Sequence, residues 1–294
     1  MIKSVLKCVV LFFCCSFSLL GEAFPESPFW QLMKQDHSPE HQKARHSKGW
    51  QLFERLFTNY ENQKDLLLKD TIPKIPHKIH LIWLGTPIPD FSRKMVESWK
   101  KTHPDWEVKL WTDADLPSFG LKNRAAYEKS NNWGEKSDIF RYEILYRYGG
   151  LYADAADFEC LRRFDELHAT CDFYTGIAYG RWPMVYNGLI GCRPHHPIMK
   201  RCVNSIKVGN GDQSRWRIVN ATGPYFLTKC FMRSLADTTL KKRHGVVVAF
   251  PTFFFYPFPE TFHALYSNTD DIKNEFAYPG AFAIHYWKSS WNVN

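Results

Sequence analysis

The residues with most chemical promise lie in one run, Gly149-Gly150-Leu151-Tyr152-Ala153-Asp154-Ala155-Ala156-Asp157-Phe158-Glu159-Cys160. Two glycines and a short apolar stretch are followed by three carboxylates, Asp154, Asp157 and Glu159. Oxygen donors gathered where a strand ends can hold a hard divalent cation. Such an ion fits an enzyme acting on a phosphate-bearing substrate, because it neutralises charge as a phosphate leaves. The plain alternative is a solvated turn. Spacing is the test: in a strand, residues two apart share a face and residues three apart do not. Asp154 and Asp157 therefore converge only if Ala155 or Ala156 is taken up in a bulge or turn. Upstream, Asp138 and Arg141 stand three apart on one helical face. Periodicity alone reads them as a surface ion pair of little energy.

These side chains need elements to position them. Residues 78–84 read as a buried strand stopped by Gly85, and Phe91, Met95, Val96 and Trp99 as a helix closed before Pro104. Residues 106–111 alternate as a strand ending in Thr112-Asp113. Ser137 is the expected N-cap of a helix over 138–148. Gly149-Gly150 ends that helix, and Leu151-Tyr152-Ala153 opens another strand. Pro197 starts a helix with Ile198, Met199, Cys202, Val203 and Ile206 on one face, and residues 246–250 form a late strand. Strands alternating with helices predict an α/β fold with a mostly parallel sheet. In such sheets ligands gather at the carboxyl ends of strands. Residues 83–85, 111–113 and the acidic run are three such ends, and together they would make one cleft.

The chain has 294 residues, 45% hydrophobic and 16% aromatic, which supports a sizeable core and excludes a disordered chain. Its net charge of +8 is scattered, the longest basic run being Lys241-Lys242-Arg243-His244. Diffuse charge suits anionic ligands or association with a membrane surface, and argues against nucleic acid as a partner. Residues 1–23 read as an export signal, with Lys3 and Lys7 before an apolar stretch and small residues at Gly21-Glu22-Ala23. The expected destination is the secretory pathway or the exterior, with a membrane anchor if the segment is not cleaved. Residues 24–71 read as an N-terminal helical arm, irregular to residue 45 and helical from Trp50 through Phe53, Leu56, Phe57 and Tyr60. Pro39 between His37 and His41 argues against a helical metal pair. Beyond residue 23 five cysteines remain, Cys160, Cys171, Cys192, Cys202 and Cys230, an odd number without a zinc spacing. Bridges and buried free thiols fit them equally.

Several blocks, in order, carry a family likeness. Residues 72–85 (IPKIPHKIHLIWLG), 106–113 (WEVKLWTD) and 136–152 (KSDIFRYEILYRYGGLY) resemble the DXD-containing sugar transferases. So do Asn187-Gly188-Leu189-Ile190-Gly191, Thr222-Gly223-Pro224 and His285-Tyr286-Trp287-Lys288-Ser289-Ser290-Trp291. That family includes initiating α-mannosyltransferases and is distantly similar to clostridial glucosylating toxins. The resemblance covers residues 72–294 and implies a GT-A glycosyltransferase domain there. It also implies a nucleotide-sugar donor such as a UDP- or GDP-hexose, a divalent metal, usually Mn²⁺, and retention of anomeric configuration. The acceptor would be a glycan, lipid or protein.

Carried over residue by residue, the resemblance makes Asp157 the direct metal ligand, with Asp154 and His285 completing its shell and Glu159 in reserve. Donor contacts fall to Trp83, Asp138, Arg141, Tyr152, Asp154, Asn187, Ser290 and Trp291, and Asp154, Asp157 and Arg141 are the catalytic set. The departure is the spacing: the family has Asp-x-Asp, and this chain has Asp154-Ala155-Ala156-Asp157. Two other readings therefore stay open, a metal-free pseudoenzyme that binds sugar or nucleotide, and a glycoside hydrolase using paired carboxylates.

Overall fold

The computed structural model describes residues 27–33, 43–69, 72–179, 182–209 and 214–288. Residues 1–26, with the expected export signal, lie outside the described residues, as do His37, His41, Ser290 and Trp291.

The core is a six-stranded sheet: β1 (Lys78–Ile82), β2 (Glu107–Trp111), β3 (Gly150–Ala153), β5 (Phe173–Ile177), β6 (Val185–Cys192) and β7 (Val247–Phe250), in the order β2-β1-β3-β6-β5-β7. Pairings β1–β2, β1–β3 and β5–β7 are parallel, and β6 runs antiparallel between β3 and β5. Helices flank the sheet. This is the expected α/β architecture with a mostly parallel sheet. β3, β5 and β7 read as apolar runs because both faces are covered; every residue of the three is buried.

A second, two-stranded ribbon pairs β4 (Phe158–Cys160) with β8 (Ala283–His285), antiparallel, with Phe158 opposite His285. Periodicity could not find it, since each strand has three residues. Its register brings the chain's C-terminal block beside the acidic run.

The helix Trp133–Tyr148 begins earlier than expected. Its N-cap is Asn132, whose side chain accepts from the Glu135 N–H at 3.0 Å, so Ser137 lies inside the helix rather than at its start. It has no single apolar stripe, because Glu135, Asp138, Arg141 and Glu143 are buried along with Ile139, Phe140, Ile144 and Leu145. A helix buried all round must pair its charges internally. Arg217 clasps Glu135 through two guanidinium hydrogen bonds of 2.6 and 2.5 Å. Glu143 accepts the N–H groups of Lys122 and Asn123, each at 2.7 Å. At the helix end Gly150 has φ +93°, and a Cβ there would meet the Lys78 carbonyl at 2.6 Å. Only glycine lets β3 close onto β1.

The helix Lys48–Glu61 lies on this body, burying Trp50, Phe53, Phe57 and Tyr60. Phe53 meets Phe231 at 5.9 Å, and Phe57 meets Phe250 at 6.0 Å, both edge to face. Each such buried aromatic contributes roughly 1.5–3 kcal/mol. A short helix, Pro28–Met33, packs beside it in a stretch expected to be irregular. The five cysteines from Cys160 onward are free and buried.

Candidate functional site

The sheet topology puts three backbone ends at one edge. β1 leads into Trp83, β3 leads into Asp154, and the antiparallel β6 contributes its N-terminal half, Tyr186 to Gly188. The ladder continues one step past β3, where the Asp154 N–H donates to the Gly188 carbonyl at 2.9 Å. Between β3 and β4 the chain turns through Ala155, Ala156 and Asp157, and the Phe158 N–H reaches back to the Asp154 carbonyl at 3.4 Å. This turn absorbs the surplus alanine. The helix Asp90–Thr102 anchors it, with Ser92 Oγ donating to the Ala156 carbonyl at 2.9 Å and Trp99 Nε1 to the Phe158 carbonyl at 3.0 Å.

The result is a cleft of about 370 Å³. Trp83, Asp138, Arg141, Tyr152, Asp154, Asp157, Asn187 and His285 all line it. Of the expected site residues within the described part of the chain, the reserve ligand Glu159 alone is missing from this lining.

Arg141 is the hub, 5% exposed. Its guanidinium lies 3.2 Å from Asp138 Oδ1 and 3.2 Å from Asp154 Oδ1, and donates to the Asn187 carbonyl at 2.8 Å and Ser137 Oγ at 3.1 Å. It also stacks 4.5 Å over the Tyr152 ring. The Asp138–Arg141 pair is therefore buried, not the surface pair that spacing suggested. Asp138 accepts from Asn187 Nδ2 at 2.7 Å and Thr222 Oγ1 at 2.9 Å. Burial pushes its carboxyl up to about 6, against the opposing pull of Arg141. Tyr152 donates its hydroxyl to Asp154 Oδ1 at 2.6 Å.

Asp157 is 3% exposed. Its Oδ1 lies 3.0 Å from His285 Nε2, and its Oδ2 accepts the Lys288 N–H at 2.8 Å. Burial opposes charge on His285, Asp157 favours it, and the net shift is upward. The Trp287 N–H, 3.2 Å from Nδ1, needs a lone pair there, so the proton shared with Asp157 is the one on Nε2. Glu159 is turned away from the cleft, held by Lys273 and by the Tyr286 hydroxyl at 2.6 Å.

Among the described residues, no three His, Cys, Asp or Glu side chains form a group able to hold a metal by themselves. Asp154, Asp157 and His285 thus share a cleft without forming a closed shell. The donor set still fits a hard or borderline divalent ion. Asp154 keeps Oδ2 open to the cleft, Asp157 and His285 are adjacent, and substrate phosphates commonly complete such a shell.

Residues 89–174 match the model for the glycosyltransferase sugar-binding region containing a DXD motif. Over these residues the chain resembles the DXD-containing sugar glycosyltransferases. It is 31% identical to inositol phosphoceramide mannosyltransferase 1 of Schizosaccharomyces pombe over 172 residues, covering 55% of this chain and 53% of the relative. It is 30% identical over 174 residues to an uncharacterized glycosyltransferase of Acanthamoeba polyphaga mimivirus, covering 56% of this chain and 66% of that one. The chain spans about half the length of the first of these curated relatives. Among solved structures it is similar to the PaToxG glycosyltransferase, at TM-score 0.49 and 17% identity, covering 66% of this chain and 83% of the other.

The cleft also includes residues that sequence reasoning passed over. Thr222 was read only as part of a block, yet it holds Asp138. Tyr256 lies outside every family block, yet it lines the cleft with Tyr186, Met184 and Trp287. Their signal is tertiary and has no period. Trp133, 44% exposed, lines the same mouth as Trp83.

Proposed function

We propose that the protein is a retaining glycosyltransferase, moving a hexose from a UDP- or GDP-sugar to an acceptor with the aid of a divalent metal, Mn²⁺ being the expected ion. One observation carries the reading. Asp154 and Asp157 flank a single turn at the carboxyl edge of the sheet, in the cleft that also holds the buried Arg141.

In the reaction, the bond between the anomeric carbon and the diphosphate oxygen breaks and a bond to the acceptor oxygen forms. The acceptor's proton passes to the departing diphosphate. The metal, when bound, would neutralise charge on that diphosphate; Asp157 would hold it, with Asp154 and His285. The chain's own residues do the positioning. Arg141 supplies a fixed buried cation beside Asp154, and its four partners keep it from reorganising as charge moves. Asp138, Asn187 and Thr222 lock Arg141 in place. Trp83, or the more exposed Trp133, offers a stacking face for the nucleobase.

The printed names of the relatives favour a mannosyl group and an inositol phosphoceramide, hence a lipid acceptor, over a glycan or protein. Export through the N-terminal segment belongs to the same reading. No helix among the described residues is long and apolar enough to cross a membrane.

A second reading has one observation in its favour: Asp157 already has both oxygens engaged, by His285 and the Lys288 N–H. A metal-free sugar-nucleotide binder would keep those bonds. The test is a panel of UDP- and GDP-hexoses with Mn²⁺, reading released nucleotide. Asp157→Ala should abolish release and Asp154→Ala should weaken it severely. Full release in both variants, or release unaffected by EDTA, would overturn the metal assignment.

A further inference from the structure

Tyr256 follows the short helix Thr252–Phe255. Its ring is enclosed by Tyr186 at 4.8 Å, Phe158 at 5.2 Å, Trp287 at 5.7 Å and His285 at 5.8 Å. The residue is 1% exposed, yet its hydroxyl has no protein hydrogen-bond partner among the described residues. A buried, unpaired phenol is costly, and such groups concentrate where a ligand supplies the missing bond.

Its surroundings define that ligand. A Cβ built on Gly188 would lie 2.7 Å from Asp154 Oδ2 and 3.3 Å from Tyr256 Oη. The two oxygens therefore close in on the bare face of one glycine at the cleft wall. Asp154 Oδ1 is taken by Tyr152 and Arg141, which leaves Oδ2, whose two lone pairs can serve a metal and a hydroxyl together. A carboxylate oxygen accepts, whereas a phenol kept protonated by burial donates. The chemical group that donates to one and accepts from the other at the same time is a hydroxyl.

We propose that Tyr256 is a specificity-determining residue: with Asp154 it clasps one hydroxyl of the transferred hexose, Tyr256 Oη donating to it and Asp154 Oδ2 accepting from it. This rests on the donor-site reading above and extends it to a residue outside the family blocks.

The experiment uses the full chain, the nucleotide sugar selected by the panel, its monodeoxy-sugar analogues and the free nucleoside diphosphate. Tyr256→Phe should lower kcat/KM for the sugar donor about 10-fold and leave affinity for free UDP or GDP within about twofold. Because the hydroxyl has no protein partner to lose, the Tm should hold or rise. The deoxy analogue that lacks the clasped hydroxyl should be a poor donor for the native chain and suffer no further loss in the variant. Unchanged kcat/KM in Tyr256→Phe, an equal loss for sugar donor and free diphosphate, or a lowered Tm overturns the inference while the donor reading stands. A native chain that binds no nucleotide sugar overturns both.

Discussion

Replacing Arg141 with methionine keeps most of the side chain's volume and removes its charge. In the native chain the guanidinium serves two carboxylates at 3.2 Å, with side-chain exposures of 6% for Arg141, 9% for Asp138 and 27% for Asp154. Breaking a buried pair by deleting one partner costs about 3–5 kcal/mol, because the other charge stays buried and uncompensated. Asp154 is exposed enough to recover part of its hydration, so most of the cost falls on Asp138. Its carboxyl, already raised by burial, loses Arg141 as its main opposing influence and must rise above about 6. Urea unfolding at pH 7 should therefore show Arg141→Met less stable by about 3–5 kcal/mol. Asp138→Asn in the same background should restore at least about 1 kcal/mol of this, the coupling expected of groups in contact. A single variant within about 1 kcal/mol of native, or a strictly additive pair, would refute the claim that these charges are buried and mutually dependent.

Other outcomes follow from the same geometry. Asp138 has a folded value of about 6 against roughly 3.9 when unfolded, so between these values the folded chain keeps a proton that the unfolded chain has released. Stability should fall as pH rises from roughly 4 to 6 and stay level above, and Asp138→Asn should flatten that slope in unfolding measured across the range. Because ionised Asp138 is the acceptor that fixes Asn187 and Thr222, kcat/KM should rise through pH 6 and lose this limb in the same variant. Gly188→Ala would put a methyl 2.7 Å from Asp154 Oδ2; donor turnover should drop on the order of 100-fold while circular dichroism still shows a folded chain. Glu135→Ala strips Arg217 of its bidentate partner and should cost about 3 kcal/mol in unfolding.

What could be read beforehand depended on local patterns. β1, β3 and β7 are short, mainly apolar runs bounded by turn residues, β2 alternates, and the helix Pro197–Ser205 has an apolar face opened by proline, so each is legible from period and punctuation. The start of the helix Trp133–Tyr148 was not, because Asn132 outcompetes Ser137 as cap and the helix is buried all round. β4 and β8 are too short to have a period and exist through their pairing 123 to 127 residues apart. The site followed the same division. Family blocks named Asp138, Arg141, Asp154 and Asn187, and their convergence became visible only when β6 was laid against β3. The Asp154–Asp157 spacing left the convergence of the two carboxylates open, and a turn anchored by Ser92 and Trp99 brings both into the cleft. Tyr256 and Thr222 carried no local signal.

The central claim is that the two aspartates of this turn hold a metal-bound diphosphate. Calorimetric titration of the native chain with UDP and GDP, with and without Mn²⁺, tests it directly. One of these nucleotides should bind at least about 10-fold more tightly with Mn²⁺, and Asp157→Ala should lose that gain while keeping its Mn²⁺-independent affinity. Equal affinity with and without the ion, or a gain that survives in Asp157→Ala, would contradict it.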